Sequence, residues 1–262
     1  MLDSGQIEAF TRDGYVIVPE LLDQEETSLL AGIARADRRL HAARTSRTDG
    51  EGGAVELVVQ NDLPTDSIYG AIVRDERIVH AMELLLGGEV YHYHHKMILK
   101  EARSGGAWAW HQDYGYWYHN GCLFPLMASC MIAVDRATRE NGCLQVLRGS
   151  HHIGRVDHGK IGQQTGADEE RVNAALDVCE RVFVELEPGS AVIFHCNTLH
   201  RSDQNTSEHA RWAFICCYNA ARNDPYKQSK HPSYTRLQKW PRERIAEIGR
   251  NQLQRLQSEP TD

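Results

Sequence analysis

The sequence predicts a mainly β chain with flanking helices, of the sandwich or barrel kind. Seven short apolar or alternating runs fall between residues 91 and 219, turn residues separate them, and helical spacing is concentrated outside them. The runs cover 91–100, 107–118, 126–135, 143–147, 181–186, 191–196 and 211–219. Asn141-Gly142, Arg148-Gly149-Ser150 and Glu187-Pro188-Gly189 stand between them, residue types that suit tight turns.

Upstream, Ile7 and Phe10 share one face of a short helix that Asp13-Gly14 stops before a strand at 15–18. Asp23 with Glu26 three residues later forms a capping-box pattern ahead of Leu29, Leu30 and Ile33 at helical spacing. The polar, glycine-rich stretch 44–53 predicts a mobile loop. Ile78, Val79, Met82, Leu85 and Leu86 make another helix face, closed by Gly87-Gly88. Within the strand series, 155–180 predicts a polar loop and a helix carrying Val172, Leu176 and Cys179, placed to act as a lid over a barrel mouth. Pro241 opens a last, polar helix over 241–257. With no internal repeat, the reading is one domain over 1–262: a helical part to about 88, a β core over about 89–220, and the final helix.

A formal net charge of −7 without a basic stripe argues against a nucleic-acid backbone or an anionic membrane as partner. No run of eighteen apolar residues occurs, and the opening MLDSGQIEAF has neither a basic nor an apolar leader segment. The seven cysteines are odd in number and show no CxxC spacing, so free thiols in a reducing cytoplasm are expected rather than disulfides or a zinc knuckle.

The chemistry centres on His111-Gln112-Asp113. In an extended strand, residues i and i+2 point the same way with Cα atoms about 6.6 Å apart, so both side chains can reach one metal. A His with a carboxylate supplies two thirds of a facial triad on non-heme Fe(II). With 14 histidines and 36 acidic residues among 262 positions, chance alone predicts about two such pairs and the sequence contains one, so the motif by itself carries no weight. Its context adds weight. If 107–118 is extended, His111 and Asp113 share a face with Ala107, Ala109 and Gly115, while Trp108, Trp110, Tyr114, Tyr116 and Tyr118 occupy the other. An aromatic core strand with a solvent-facing His and Asp is the competing reading.

A third ligand comes from a distant strand, and both His195 and His200 qualify by position. Ser202 shares a face with His200, and Arg211 opens a strand whose same-side neighbours are Ala213, Ile215 and Cys217. An arginine leading into such a pocket needs a partner, and a dicarboxylate fits its planar fork. A protein salt bridge to Glu208 or Asp203 would serve equally.

The motif WHQD at 110–113, NGCLQVLRGSH at 141–151, and His200 followed by Ser202 and Arg211 resemble the phytanoyl-CoA dioxygenase family, which includes ectoine hydroxylase. The resemblance runs from about residue 91 to 219. It implies a double-stranded β-helix, or jelly roll, with Fe(II) on His111, Asp113 and His200. In that family an arginine eleven residues after the third ligand holds the 5-carboxylate of 2-oxoglutarate; Arg211 has that spacing from His200, whereas Thr206 has it from His195. Ser202 matches a hydroxyl that touches the same carboxylate, and His94 and Lys96 lie where further cosubstrate contacts occur. Trp117 matches an aromatic position at the substrate pocket.

The implied reaction consumes O2 and 2-oxoglutarate, releases succinate and CO2, and hydroxylates a small-molecule substrate, although some relatives close a ring or desaturate instead. Halogenating relatives carry Gly or Ala where Asp113 stands, so an oxygenase outcome is expected. A zinc-dependent hydrolase or isomerase, or a non-catalytic ligand-binding jelly roll, would use the same scaffold, but neither gives Arg211 and Ser202 an evident purpose.

Overall fold

In the computed structural model, which describes residues 2–49, 53–161 and 163–258, the chain opens with helix α1 (Ser4–Asp13) and strand β1 (Tyr15–Val18). Asp3 and Gln6 cap α1 reciprocally, and Gly14 ends it in the left-handed region at φ 82°. Helices α2 (Gln24–Ala36) and α3 (Arg38–Ala42), strands β2 (Thr45–Thr48) and β3 (Ala54–Gln60), and helices α4 (Ile68–Arg74) and α5 (Glu76–Leu86) follow. Asp23 and Glu26 form the capping box of α2.

The middle of the chain supplies β4 (Val90–Lys100), β5 (Trp108–His111), the short helix α6 (Asp113–Trp117), β6 (Met127–Ala133) and β7 (Leu144–Leu147). Next come β8 (His158–Ile161), β9 (Gln164–Ala167), α7 (Glu169–Val178) and β10 (Arg181–Val184). Strands β11 (Ala191–His195), β12 (His200–Ser202) and β13 (Arg211–Ala220) complete the sheets, and α8 (Glu243–Ser258) closes the described chain.

The strands form a double-stranded β-helix. A seven-stranded antiparallel sheet runs β1-β11-β6-β13-β4-β3-β2, and a four-stranded one runs β10-β7-β12-β5. Side chains of both sheets meet in one core, including Tyr93, Met131, Phe194 and Ile215 from the large sheet and Val146 and Val184 from the small one. On its outer face the large sheet buries Met97, Ile132, Phe214 and Cys216 against the helices α2, α4, α5 and α8. Strand β13 is therefore buried along its whole length: Ala213, Ile215 and Cys217 face the other sheet, and Trp212, Phe214 and Cys216 face the helices.

Several expectations need correction. Residues 107–118 are not one strand, because β5 stops at His111 and Asp113 begins α6. The stretch 44–53 contains the edge strand β2, and its residues 50–52 lie outside the described residues. Strand β3, whose Val55, Leu57 and Val58 are buried, was not among the expected strands. Residues 158–161 and 164–167 pair as the antiparallel strands β8 and β9 rather than lying in a loop, and Gln164 ties them to the β5 segment by bonding the backbone of Ala107 and Ala109. Helix α8 is not polar all round; Ile245 and Ile248 are buried against the helical layer.

A register shift in the β13–β4 ladder pairs Cys217 with His94 but Tyr218 with His92, so Tyr93 is the extra residue of a β-bulge. The bulge breaks the two-residue alternation there. Tyr93 and His94, neighbours in sequence, consequently lie on the same side with ring centroids 5.3 Å apart. Among the described residues no helix is long and apolar enough to cross a membrane.

Candidate active site

A cavity of about 420 Å³ opens between the two sheets. Its floor carries His111, Asp113 and His200, each offering one ligand atom within 4.8 Å of the others. The two histidines come from the small sheet, where β5 and β12 pair His111 directly with His200. Their ring centroids are 4.1 Å apart.

Nδ1 of His111 lies 2.8 Å from the Ala109 carbonyl, and Nδ1 of His200 lies 2.9 Å from the Thr198 carbonyl. A carbonyl only accepts, so each Nδ1 carries the proton and each Nε2 keeps its lone pair for a metal. Burial pushes both imidazoles below their ordinary pKa and favours this neutral form.

Asp113 reaches the same point by a different route from the one the sequence suggested. Gln112, fully buried, breaks the strand: its Nε2 donates to the carbonyls of Gly154 and Asn197 (both 2.7 Å), and its Oε1 accepts from Val156 N at 2.7 Å. Its backbone N–H donates to Nε2 of His158 at 2.9 Å. Helix α6 begins at once, and Gly115 admits the His158 ring, since a Cβ there would meet it at 2.1 Å. Asp113 then accepts from Ser129 Oγ at 2.9 Å, and its other oxygen lies 3.7 Å from Lys96 Nζ. Lys96 and its neighbours hold this carboxyl below the usual range despite burial.

Arg211 lines the same cavity and is only 3% exposed. One guanidinium N–H donates to the Gly142 carbonyl at 2.8 Å, and Nε has no partner. The alternative salt bridges do not form: Asp203 pairs with Arg201, and Glu208 pairs with Arg103. Burial lowers the Arg211 pKa to about 10, so it stays charged at neutral pH. A buried guanidinium with an orphaned N–H and no protein carboxylate suits an anionic ligand.

Ser202, 2% exposed, lines the cavity near this end and accepts from Lys100 Nζ at 2.9 Å. Lys100 was absent from the expected site. Its place opposite Arg211 in the β4–β13 ladder could be inferred only once the strand register was known. Because the ammonium occupies a lone pair of the hydroxyl, the Ser202 proton remains available to a ligand.

His94, Lys96 and Trp117 also border the cavity. Trp117 does so from α6 rather than from an extended strand, with its indole edge-on to Tyr93 and His94. His195 does not line the cavity; it contacts Phe10 and His151 instead. The mouth is bordered by Arg47, Val59, Asn61, Lys230 and His231. None of the described residues in 155–180, where a lid was expected, lines it.

The donor set of two neutral imidazoles and one carboxylate fits Fe(II), and the orphaned Arg211 fits the distal carboxylate of 2-oxoglutarate. Comparison with known proteins agrees. The family model described as Phytanoyl-CoA dioxygenase (PhyH) matches residues 10–213. The L-proline trans-4-hydroxylase of Streptomyces griseoviridis is 31% identical over 243 residues, covering 85% of this chain and 88% of that protein. The ectoine dioxygenase of Bordetella parapertussis is 28% identical over 249 residues, covering 88% of this chain and 80% of that one. Among solved structures, EctD from S. alaskensis, crystallised with 2-oxoglutarate and 5-hydroxyectoine, superposes with a TM-score of 0.77 at 22% identity, covering 92% of this chain and 88% of that one. The carbocyclase SnoK from nogalamycin biosynthesis gives 0.68 at 22%, covering 89% and 97%. The chain belongs to the phytanoyl-CoA dioxygenase family and is a hydroxylase-type, Fe(II)- and 2-oxoglutarate-dependent oxygenase.

Proposed function

We propose that His111, Asp113 and His200 hold the iron, that Arg211 and Ser202 seat the distal carboxylate of 2-oxoglutarate, and that the enzyme hydroxylates or oxidatively cyclises a small metabolite. The observation that carries this reading is the coincidence, in one cavity, of three converging ligand atoms and a buried guanidinium without a carboxylate.

When bound, iron and 2-oxoglutarate supply the oxidation itself, with succinate and CO2 as co-products. The protein contributes geometry. Ala109 and Thr198 fix the two imidazole tautomers, and Ser129 orients Asp113. Gln112 locks the turn between His111 and Asp113. Tyr116, Trp117 and Phe194 wall the ligand set with apolar surface that limits water.

The relatives named for L-proline and for ectoine support a small substrate. A cytoplasmic setting is supported by seven cysteines that are all unpaired thiols. The decisive experiment measures iron content and succinate release of wild type and Asp113→Ala. The variant should lose both, and retained succinate formation would remove Asp113 from the ligand set.

A further inference from the structure

The cavity is strongly one-signed. Asp113 is the single carboxylate among the described residues that line it, against Arg47, Lys96, Arg201, Arg211 and Lys230. Arg201 is neutralised by Asp203, and Arg211 is assigned above to the cosubstrate. Three cations remain. Lys96 lies deep, 3.7 Å from Asp113, with its side chain 18% exposed. Arg47 and Lys230 are exposed at the mouth. Arg47 is close enough for its charge to oppose that of Lys96, and Lys230 and Lys96 both act on His231. No ion pair involves Arg47 or Lys230 among the described residues.

Resting on the reading of the site given above, we infer that the substrate carries a carboxylate, and that this group is received by Lys96 on the side of the cavity walled by His94, His231 and Trp117.

A charge count leads there. Once Asp113 gives its charge to a metal and the cosubstrate's distal carboxylate meets Arg211, Lys96 has no remaining carboxylate among the described residues. A half-buried ammonium left so is costly, and a single substrate carboxylate removes the cost. The neighbouring rings add no positive charge to attract a more highly charged group, because burial keeps His94 and His231 neutral. His94 also has an unpartnered Nδ1 and is 4% exposed.

Arg47 and Lys230 at the rim would draw anions inward without fixing them. The body of the substrate meets Leu57, Val59, Ile98 and Trp117, an apolar and aromatic wall. A cavity of about 420 Å³ that also admits 2-oxoglutarate leaves room for a compact acid of amino-acid size.

The test uses matched pairs that differ only in this group: L-proline with L-prolinamide, and cyclopentanecarboxylate with cyclopentanecarboxamide. Binding to the protein loaded with Fe(II) and 2-oxoglutarate without O2 is measured by calorimetry. Each acid should bind about ten-fold or more tightly than its amide, the scale of one charge-assisted contact. Lys96→Met should erase the preference and Lys96→Arg should keep it. Equal binding of acid and amide, no binding of either acid, or an undiminished preference in Lys96→Met overturns the inference. The wild-type comparison decides without any variant. Iron content and the thermal shift caused by 2-oxoglutarate are measured first on the same sample. If those fail, the assignment of the metal site fails; if they hold and the acid preference is missing, only the substrate inference falls.

Discussion

Lys100 and Arg211 face each other directly across the β4–β13 ladder, two buried basic side chains with no ion pair to any described carboxylate. Burial pushes the Lys100 pKa well below its ordinary value, and Arg211 next to it adds to the effect. Two basic groups side by side inside a protein disfavour each other's charged form unless an anion joins them. Arg211→Ala should therefore raise the KM for 2-oxoglutarate by about thirty-fold or more, the scale of a truncated buried charge contact. Succinate release against 2-oxoglutarate concentration measures this, and an unchanged KM would leave Arg211 a structural residue.

Lys100 acts through Ser202. Its ammonium donates to Ser202 Oγ and to the Asp203 carbonyl, which fixes the hydroxyl as an acceptor from behind and a donor toward the cavity. Lys100→Met and Ser202→Ala should each raise the KM for 2-oxoglutarate by about ten-fold, and the double variant should be no worse than the more severe single one. Additive losses in such a cycle would show that the two side chains act independently.

The β sandwich was legible because alternation and turn residues are local properties of the chain. So was the spacing from His200 to Ser202 and Arg211, which the structure brings to one cavity with His111 and Asp113. The break at Gln112 was not. It depends on an amide that bonds backbone groups 42, 44 and 85 residues away, and no local pattern displays such contacts. An unbroken aromatic run therefore read as one strand. The bulge at Tyr93 was hidden for the same reason, since a register shift belongs to the pairing of β4 with β13 and not to either strand. Strand β2 was missed because exposed Thr45, Ser46, Arg47 and Thr48 carry no apolar face, yet Arg47 borders the cavity.

His195 and His200 were equivalent by position until the strands were placed, and their surroundings now separate them. His200 sits opposite His111, whereas His195 accepts from the Asn197 N–H through Nδ1 at 3.1 Å beyond the cavity wall. His200→Ala should reduce bound iron to near background, and His195→Ala should keep it close to stoichiometric at the cost of some thermal stability. Metal analysis after anaerobic purification reads both. Loss of iron in the His195 variant with retention in the His200 variant would reverse the assignment.

Buried imidazoles away from the cavity floor predict how the fold responds to acid. His95 is 1% exposed, bonded to His92 at 3.1 Å and to Gln60 at 2.9 Å, and burial lowers its pKa to about 4. The unfolded chain takes up that proton near 6.5, so between these values the unfolded state binds more protons and stability falls as pH drops. The contribution is intact above pH 6.5 and lost progressively down to about 4, a span worth roughly 3 kcal/mol for one group. His95→Gln retains hydrogen-bonding capacity toward its neighbours without a titrating group. Its denaturation midpoint should therefore fall less steeply than that of the wild type from pH 6.5 to 4. Parallel curves over that range would mean that His95 is protonated in the folded protein or that its protonation is not felt by the fold.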